Sequence, residues 1–335
     1  MTIEVPDELA ARGPALSAPP RRPGSIRRTS TIDSTWSGGL GGDLVQHGRA
    51  RDLLTDADGA ATVLAEESMR LLVGPDRRIA EIAGPPRKPD LLGLVGAPTG
   101  SGYRAVLAET EPDEVDAATP LHLLLDDIPG AVLVSGFAFS KWVPIDKLLG
   151  PPGRRNLRVM TGICTGFQPG SSGLAPDGTS RWTHRTRGVA EIDSIDDPLG
   201  WHEVTEQTEV SMRRSRRIDV TVEAGTVLVD SFFQDSSTLP EGGRQAVHEY
   251  TLTAEIDLAT RTLRAVTPVA QVLPYLECPL AVRNVDVLIG LPLRELRPAV
   301  LDLLKGTAGC THLNDALRAL ADVRVLVDSL EAISN

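Results

Sequence analysis

From Val247 to Asp257 the chain alternates apolar and polar residues, turns at Ala259-Thr260 and comes back through Leu263 to Val266. A period of two sends one row of side chains into a core and the other outward, which commits the stretch to an antiparallel hairpin. Similar short runs fill both halves of the chain. Ser25 to Ser34 leads into the glycine-rich turn Gly38 to Gly42, His47 to Thr55 follows, and Asp56-Ala57-Asp58-Gly59 turns the chain toward Thr62 to Leu64, Met69 to Val73 and Ile79 to Ile82. A second β region starts near Val189 and continues through Arg213-Arg214-Ser215-Arg216-Arg217, the turn Glu223-Ala224-Gly225 and Thr226 to Phe233.

Helical signals follow each β region. Tyr103 to Glu109 reads as a helix; Thr119 then caps a short one, with Pro120 at its first position and Pro129-Gly130 as its stop, and Ala131 to Phe139 reads as a strand. In the second half a helix runs from about Arg294 to Leu304. Thr311 caps the next, whose Leu313, Ala316, Leu317 and Leu320 share one face. Colinear matches connect the halves: Ile32-Asp33-Ser34 with Ile192-Asp193-Ser194, Thr62-Val63-Leu64 with Thr226-Val227-Leu228, and His122-Leu123 with His312-Leu313. The expectation is an α+β protein of two similar halves, each an antiparallel β meander followed by two helices, related by a pseudo-two-fold axis. Residues 1–24 are expected to be a disordered lead, 25–143 the first repeat, 144–182 a Pro/Gly/Ser-rich linker or mobile excursion, and 183–331 the second repeat.

Composition narrows the function classes. Aromatics make up only 4% of the residues and the net charge is −11, so neither a base-stacking platform nor attraction to polyanions or anionic lipid is favoured. No nucleic acid and no membrane partner is expected, a cytoplasmic location is, and the oligomeric state stays open. Cys164, Cys278 and Cys310 are too few for a disulfide framework and read as reduced thiols. The glycines of 96–102 lack the Lys-Ser or Lys-Thr ending of a phosphate loop. Asp126-Asp127 reads as a solvated helix end, and the basic run 213–217 as a solvated strand or a local ion-pair network.

Gly309-Cys310-Thr311-His312 sets a thiol and an imidazole at a helix mouth, where exposed N–H groups favour a thiolate or an anion. His248 at the start of one strand and Cys278 after its returning partner add two soft donors. His248, Cys278, Cys310 and His312 are thus a candidate zinc set, in which one missing ligand leaves a place for water. A metal-free alternative uses Cys310 as nucleophile or His312 as base, with Glu249 or Asp315 orienting the imidazole. His122, Arg49 and Arg51 are secondary candidates for holding a small-molecule ligand.

The segments His248-Glu249 opening a strand, Pro274-Tyr275-Leu276-Glu277-Cys278-Pro279 and Gly309-Cys310-Thr311-His312-Leu313 resemble a bacterial family catalogued as domain of unknown function 2889. The resemblance is clearest from about Thr183 to Leu330. Segments like Arg27-Arg28-Thr29-Ser30-Thr31-Ile32-Asp33 and Gly48-Arg49-Ala50-Arg51-Asp52 extend it toward the start, and it implies no established reaction. Two functions therefore stay open: an enzyme acting on a small organic acid, ester or carbonyl compound through the Cys/His site, or a non-catalytic binding or assembly module in which those residues are structural.

Overall fold

The computed structural model describes residues 3–15, 18–88, 90–150, 157–193 and 196–334. Its centre is one nine-stranded antiparallel sheet. The first meander is β1 (Ser25–Ser37), β2 (Asp43–Thr55), β3 (Ala61–Val73) and β4 (Ile79–Ala83), followed by helices α1 (Tyr103–Thr110), α2 (Pro112–Ala117), α3 (Pro120–Ser135) and α4 (Ile145–Leu149). After the short β5 (Arg187–Val189) comes the second meander, β6 (Met212–Glu223), β7 (Thr226–Thr238), β8 (Arg244–Asp257) and β9 (Leu263–Val272), and then α5 (Leu296–Leu303), α6 (Thr311–Ala319) and α7 (Val323–Ser334).

The strand order is β4-β3-β2-β1-β6-β7-β8, with β5 and β9 both pairing β8. Read outward from the central β1–β6 pair, each side runs first, second, third strand. Local chemistry fixes the turns. Asp56 Oδ1 accepts the N–H groups of Asp58 and Ala60 between β2 and β3. Ala224 and Gly225 both take positive φ, 47° and 80°, which a two-residue hairpin requires and glycine adopts without strain. Helices α3, α6 and α7 lie against one face of the sheet. Beneath the first meander sits one apolar core, built from residues such as Leu71, Tyr103, Leu121 and Leu125; beneath the second sits another, with Phe233, Leu252, Leu313 and Leu317.

Several expectations change at this point. The residue matches between the halves do not fall on equivalent strands: Thr62 is in β3 and Thr226 in β7, while Ile192 precedes β6 in irregular chain and Ser194 lies outside the described residues. Pro129-Gly130 does not stop α3, and Ala131 to Phe139 is not a strand. The helix runs on to Ser135 and a 3-10 turn to Lys141 because Ile128, Ala131, Val132 and Val134 are all buried, and that burial outweighs the one N–H that Pro129 lacks. The stretch Pro120–Lys141 is apolar and long enough to cross a membrane, but 78% of its most apolar window is buried inside the fold, as in a core helix.

The lead is not structureless where it is described. The N–H groups of Arg12 and Gly13 bond the carbonyls of Ala270 and Gln271, and Arg21 pairs with Asp197 at 2.9 Å, so the lead lies on the helix-free face of the sheet. Part of the excursion is also packed down: Thr165 N–H bonds Gly309 O at 2.9 Å, and Ser172 bonds the Glu277 carboxylate through both N–H and hydroxyl.

A buried arginine–aspartate seam and a candidate metal centre

The basic run is the middle of the molecule rather than its surface. Arg213, Arg214, Arg216 and Arg217 are all 3% exposed or less. Alternation along β1 and β6 sends them to opposite faces. On the helix-free face, Arg27 pairs with Asp219 at 2.5 Å and Arg213 with Asp33 at 2.6 Å. These are reciprocal bridges, because Arg27 stands opposite Asp219 and Asp33 opposite Arg213 in the strand register. His202 is held on the same face between the hydroxyls of Thr29 and Thr31, each 2.9 Å from a ring nitrogen.

On the helix face, Arg28, Arg104, Arg214, Arg216, Arg297 and Arg318 meet Asp52, Asp126, Asp127, Asp235, Asp315 and Asp322. Six charges of each sign balance in a seam between the two apolar cores. Asp126 and Asp127, 5% and 3% exposed, are therefore not a solvated helix end. Gly130 makes room for the seam: a Cβ there would fall 1.9 Å from Arg214 Nη1 and 2.5 Å from Asp315 Oδ2.

At one end of this seam the sheet and α6 bring two histidines together. Asp235 on β7 pairs with His248 across the ladder, and both point to the helix face. The chain enters α6 through Cys310, which is extended and holds the N-cap position, so Thr311 is the first helical residue and not the cap. His312 then lands on His248, with ring centroids 3.3 Å apart and planes within 15°. His248 Nδ1 and His312 Nε2 stand 3.5 and 3.6 Å from Asp235 Oδ2, and neither nitrogen has a hydrogen-bond partner. The far nitrogen of His312, Nδ1, faces Thr311 Oγ1 at 3.2 Å and Cys310 Sγ at 4.0 Å.

Electrostatics put all three groups in the state a metal wants. Burial lowers the pKa of His248 and His312, each only partly opposed by Asp235, so both rings are neutral at pH 7. Burial works against the Asp235 carboxylate too, but Arg214, bonded to it at 2.9 and 3.1 Å, and the two histidines overcome it and hold its pKa low. In the tautomer that carries its proton on Nδ1, directed at Thr311 and Cys310, His312 presents a lone pair on Nε2 to a carboxylate oxygen. Two acceptors then confront each other, and a cation reconciles them. Donors about 2.0–2.2 Å from a tetrahedral ion lie about 3.3–3.6 Å apart, which the two carboxylate distances match.

The candidates named from sequence are thus divided. His248 and His312 converge, with Cys310 behind His312. Asp315 does not orient the imidazole, because its oxygens serve Arg214 at 2.8 Å and Arg104 at 3.1 Å. Glu249 points to the other face, where it accepts the N–H of Ala15 and the amide of Gln234. Cys310 is a poor nucleophile, since burial raises its pKa. His122 is buried in the seam and its pKa falls to about 4, chiefly through burial. Arg49 and Arg51 lie on the opposite face, bonded to the carbonyls of Glu203 and Leu199, so these three do not form a ligand site.

Asp235 escaped sequence reading altogether. It sits in Gln234-Asp235-Ser236-Ser237 with no motif around it. Its signal was a repeat of another kind: Arg27-Arg28 and Arg213-Arg214 each precede Ile-Asp at the same spacing, on β1 and β6. Arg28 takes Asp52 on the next strand, 24 residues on, and Arg214 takes Asp235, 21 residues on.

The profile of the family described as "Protein of unknown function (DUF2889)" matches residues 212–326. Over that segment the chain is similar to the family. The DUF2889 match begins with β6, ends within α7, and contains Asp235, His248, Cys278, Cys310 and His312 together. No curated protein and no solved structure matches the chain.

Proposed function

We propose that the protein is a cytoplasmic metal-dependent enzyme in which Asp235, His248 and His312 hold a divalent ion of the zinc class and act on a small organic acid, ester or carbonyl compound. One observation carries the reading: two unpartnered imidazole nitrogens converge on one carboxylate oxygen at the edge length of a metal tetrahedron. Three protein donors leave a position for water or substrate, and a bound ion there supplies Lewis acidity and a more acidic water. Arg214 keeps Asp235 charged, and Thr311 Oγ1 and Cys310 Sγ stand where they can accept the His312 Nδ1 proton in the metal-binding tautomer.

A structural ion is the second reading. It is favoured by the enclosure of the site, with His248 and His312 each 9% exposed, and by the position of a cavity of about 370 Å³ on the other face, lined by Gln234, Trp201 and Thr251. Protein purified without chelator is expected to carry one ion per chain at this set. His248→Ala is expected to weaken its binding at least about a hundredfold while circular dichroism stays unchanged. Metal retained by folded His248→Ala sinks the centre. Metal without turnover of any small carboxylic ester or carbonyl compound decides for the structural reading.

The two meanders are, in this proposal, one unit used twice. Support comes from the shared Arg-Arg and Ile-Asp of β1 and β6 and from the paired roles of Asp52 and Asp235. Superposing β1–β3 with α3 on β6–β8 with α6 is expected to align Asp52 with Asp235. A best fit that sets these aspartates on different strands ends the idea.

A further inference from the structure

The helix-free face of the second meander is roofed rather than bare. Its floor is one row across four strands, Arg217 on β6, Phe232 on β7, Thr251 on β8 and Val269 on β9, each opposite the next in the ladder. The roof comes from chain outside either meander. Ala15 and Ala18 of the lead lie over the row between two anchors, the bonds of the Arg12 and Gly13 N–H groups to β9 and the Arg21–Asp197 pair, and Ile192 and Trp201 complete the lining. Trp201 is held by its neighbours: Arg27 donates to the Gly200 carbonyl at 3.3 Å, and the Thr29 and Thr31 hydroxyls fix His202. The space between floor and roof is the cavity of about 370 Å³, within the range of small-molecule pockets.

Hydrogen bonding in that lining is one-sided. Trp201 is 4% exposed and its Nε1 has no hydrogen-bond partner; Arg217, 3% exposed, gives its two terminal nitrogens to Asp219 and Asp230 and leaves Nε without one. Among the described lining residues these are the only buried side-chain polar atoms without a partner, and both are donors. A buried donor left unpaired is costly, so a molecule that fits here supplies an acceptor. Charge narrows its chemistry further. The Arg217 guanidinium already faces two carboxylates, and Glu191 and Asp230 both line the space, so a free carboxylate would meet like charge and no unpaired cation. Phe232, Leu252, Val269 and Ile192 favour an apolar body. We infer that the cavity is a binding site for a small neutral carbonyl compound, an ester, lactone or amide, whose oxygen takes the Trp201 and Arg217 N–H groups while its apolar part rests on Phe232 and Val269. It lies across the sheet from Asp235, His248 and His312 and involves no metal.

The chain has four tryptophans, so its indole N–H groups give four NMR signals, and the one missing from Trp201→Phe is that of Trp201. Full-length protein is titrated with δ-octalactone, ethyl hexanoate and N,N-diethylbutanamide as neutral carbonyl probes and with octanoate as the anion. The Trp201 signal is expected to move with the neutral probes while the other three stay, and octanoate to bind at least about tenfold more weakly than the lactone. Trp201→Phe keeps an aromatic wall and removes the N–H, and is expected to weaken the neutral probes about fivefold or more in ligand-detected spectra. Val269→Phe fills the floor and is expected to abolish their binding. A Trp201 signal that ignores all three neutral probes at millimolar concentration overturns the site, as does octanoate binding as tightly as the lactone. Undiminished binding by folded Trp201→Phe or Val269→Phe overturns it as well. None of these readouts involves the metal or turnover, so the site stands or falls apart from the enzyme proposed above.

Discussion

Replacing Arg214 by alanine is expected to cost about 3–5 kcal/mol, a large share of the roughly 5–15 kcal/mol by which a folded domain exceeds its unfolded chain. Arg214 is 2% exposed and serves three carboxylates: Asp235 at 2.9 Å, Asp315 at 2.8 Å and Asp127 at 3.5 Å. Its guanidinium also lies 4.9 Å from the Phe233 ring centroid. Without it, three buried carboxylates lose a shared counterion. Gly130→Ala is expected to act through the same contact, since the new methyl occupies the place of the guanidinium. The control is Arg49→Ala. That side chain is 42% exposed and pairs with a Glu203 that is 84% exposed, so its loss is expected to stay under about 1 kcal/mol. Urea unfolding of the three variants decides the matter. Equal midpoints for Arg214→Ala and Arg49→Ala would show that the seam contributes no more than a surface pair.

The second large effect is loss of stability in mild acid. Burial lowers the pKa of His122 and His184 to about 4 and that of His202 to about 3. In the unfolded chain each returns to about 6.5. Between these values the unfolded state binds protons that the folded state refuses, so stability falls as pH drops below the unfolded value. Each histidine contributes up to about 1.4 kcal/mol per pH unit, so these three alone supply up to about 4 kcal/mol per pH unit between roughly pH 6 and pH 4, and His248 and His312, lowered by burial as well, steepen the loss. Asp126, Asp235 and Asp322, held below the usual carboxylate range by their arginines against the opposing effect of burial, add to the loss below about pH 4, where the unfolded carboxylates protonate. Stability is expected to change little from pH 9 to 7 and to collapse near pH 5. His202→Gln, with an amide able to bond Thr29 or Thr31, is expected to reduce the slope by up to about 1.4 kcal/mol per pH unit. Urea midpoints that stay level from pH 7 to 4.5 would contradict the burial of these rings as neutral groups.

Much of the architecture is legible in the chain because it rests on local rules. Alternation marks β8 and its return, Asp56 to Gly59 and Ala224-Gly225 mark hairpins, and the apolar spacing after His312 marks α6. The seam is only partly legible, for a physical reason. A run of arginines on a strand in an acidic protein reads as a solvated strand or a local ion-pair network; the network is what forms, but only tertiary structure brings the aspartates of α3, α6 and β7 to it and buries it. The same holds for Pro129-Gly130. Local chemistry says stop, yet burial of the following residues and the place kept for Arg214 override it. His248 and His312 were visible as donors, whereas their carboxylate partner was not. A lone aspartate on a strand announces nothing until the register of β7 against β8 sets it opposite His248.

The central pairing of β1 with β6 also governs how the protein is made. Arg213 and Asp33 are 180 residues apart, and Arg27 and Asp219 are 192 apart. At about 5–20 residues per second, roughly 10–40 s of synthesis separate the emergence of β1 from that of its partner. For that interval β1 is the open edge of a half-built sheet, the kind of edge that recruits other chains. Arg27 and Asp33 on one side and Arg28 on the other make it a charged edge, repelling any strand that lacks complementary charges in register. The bridges that later join the halves therefore first serve the nascent chain as a guard against aggregation.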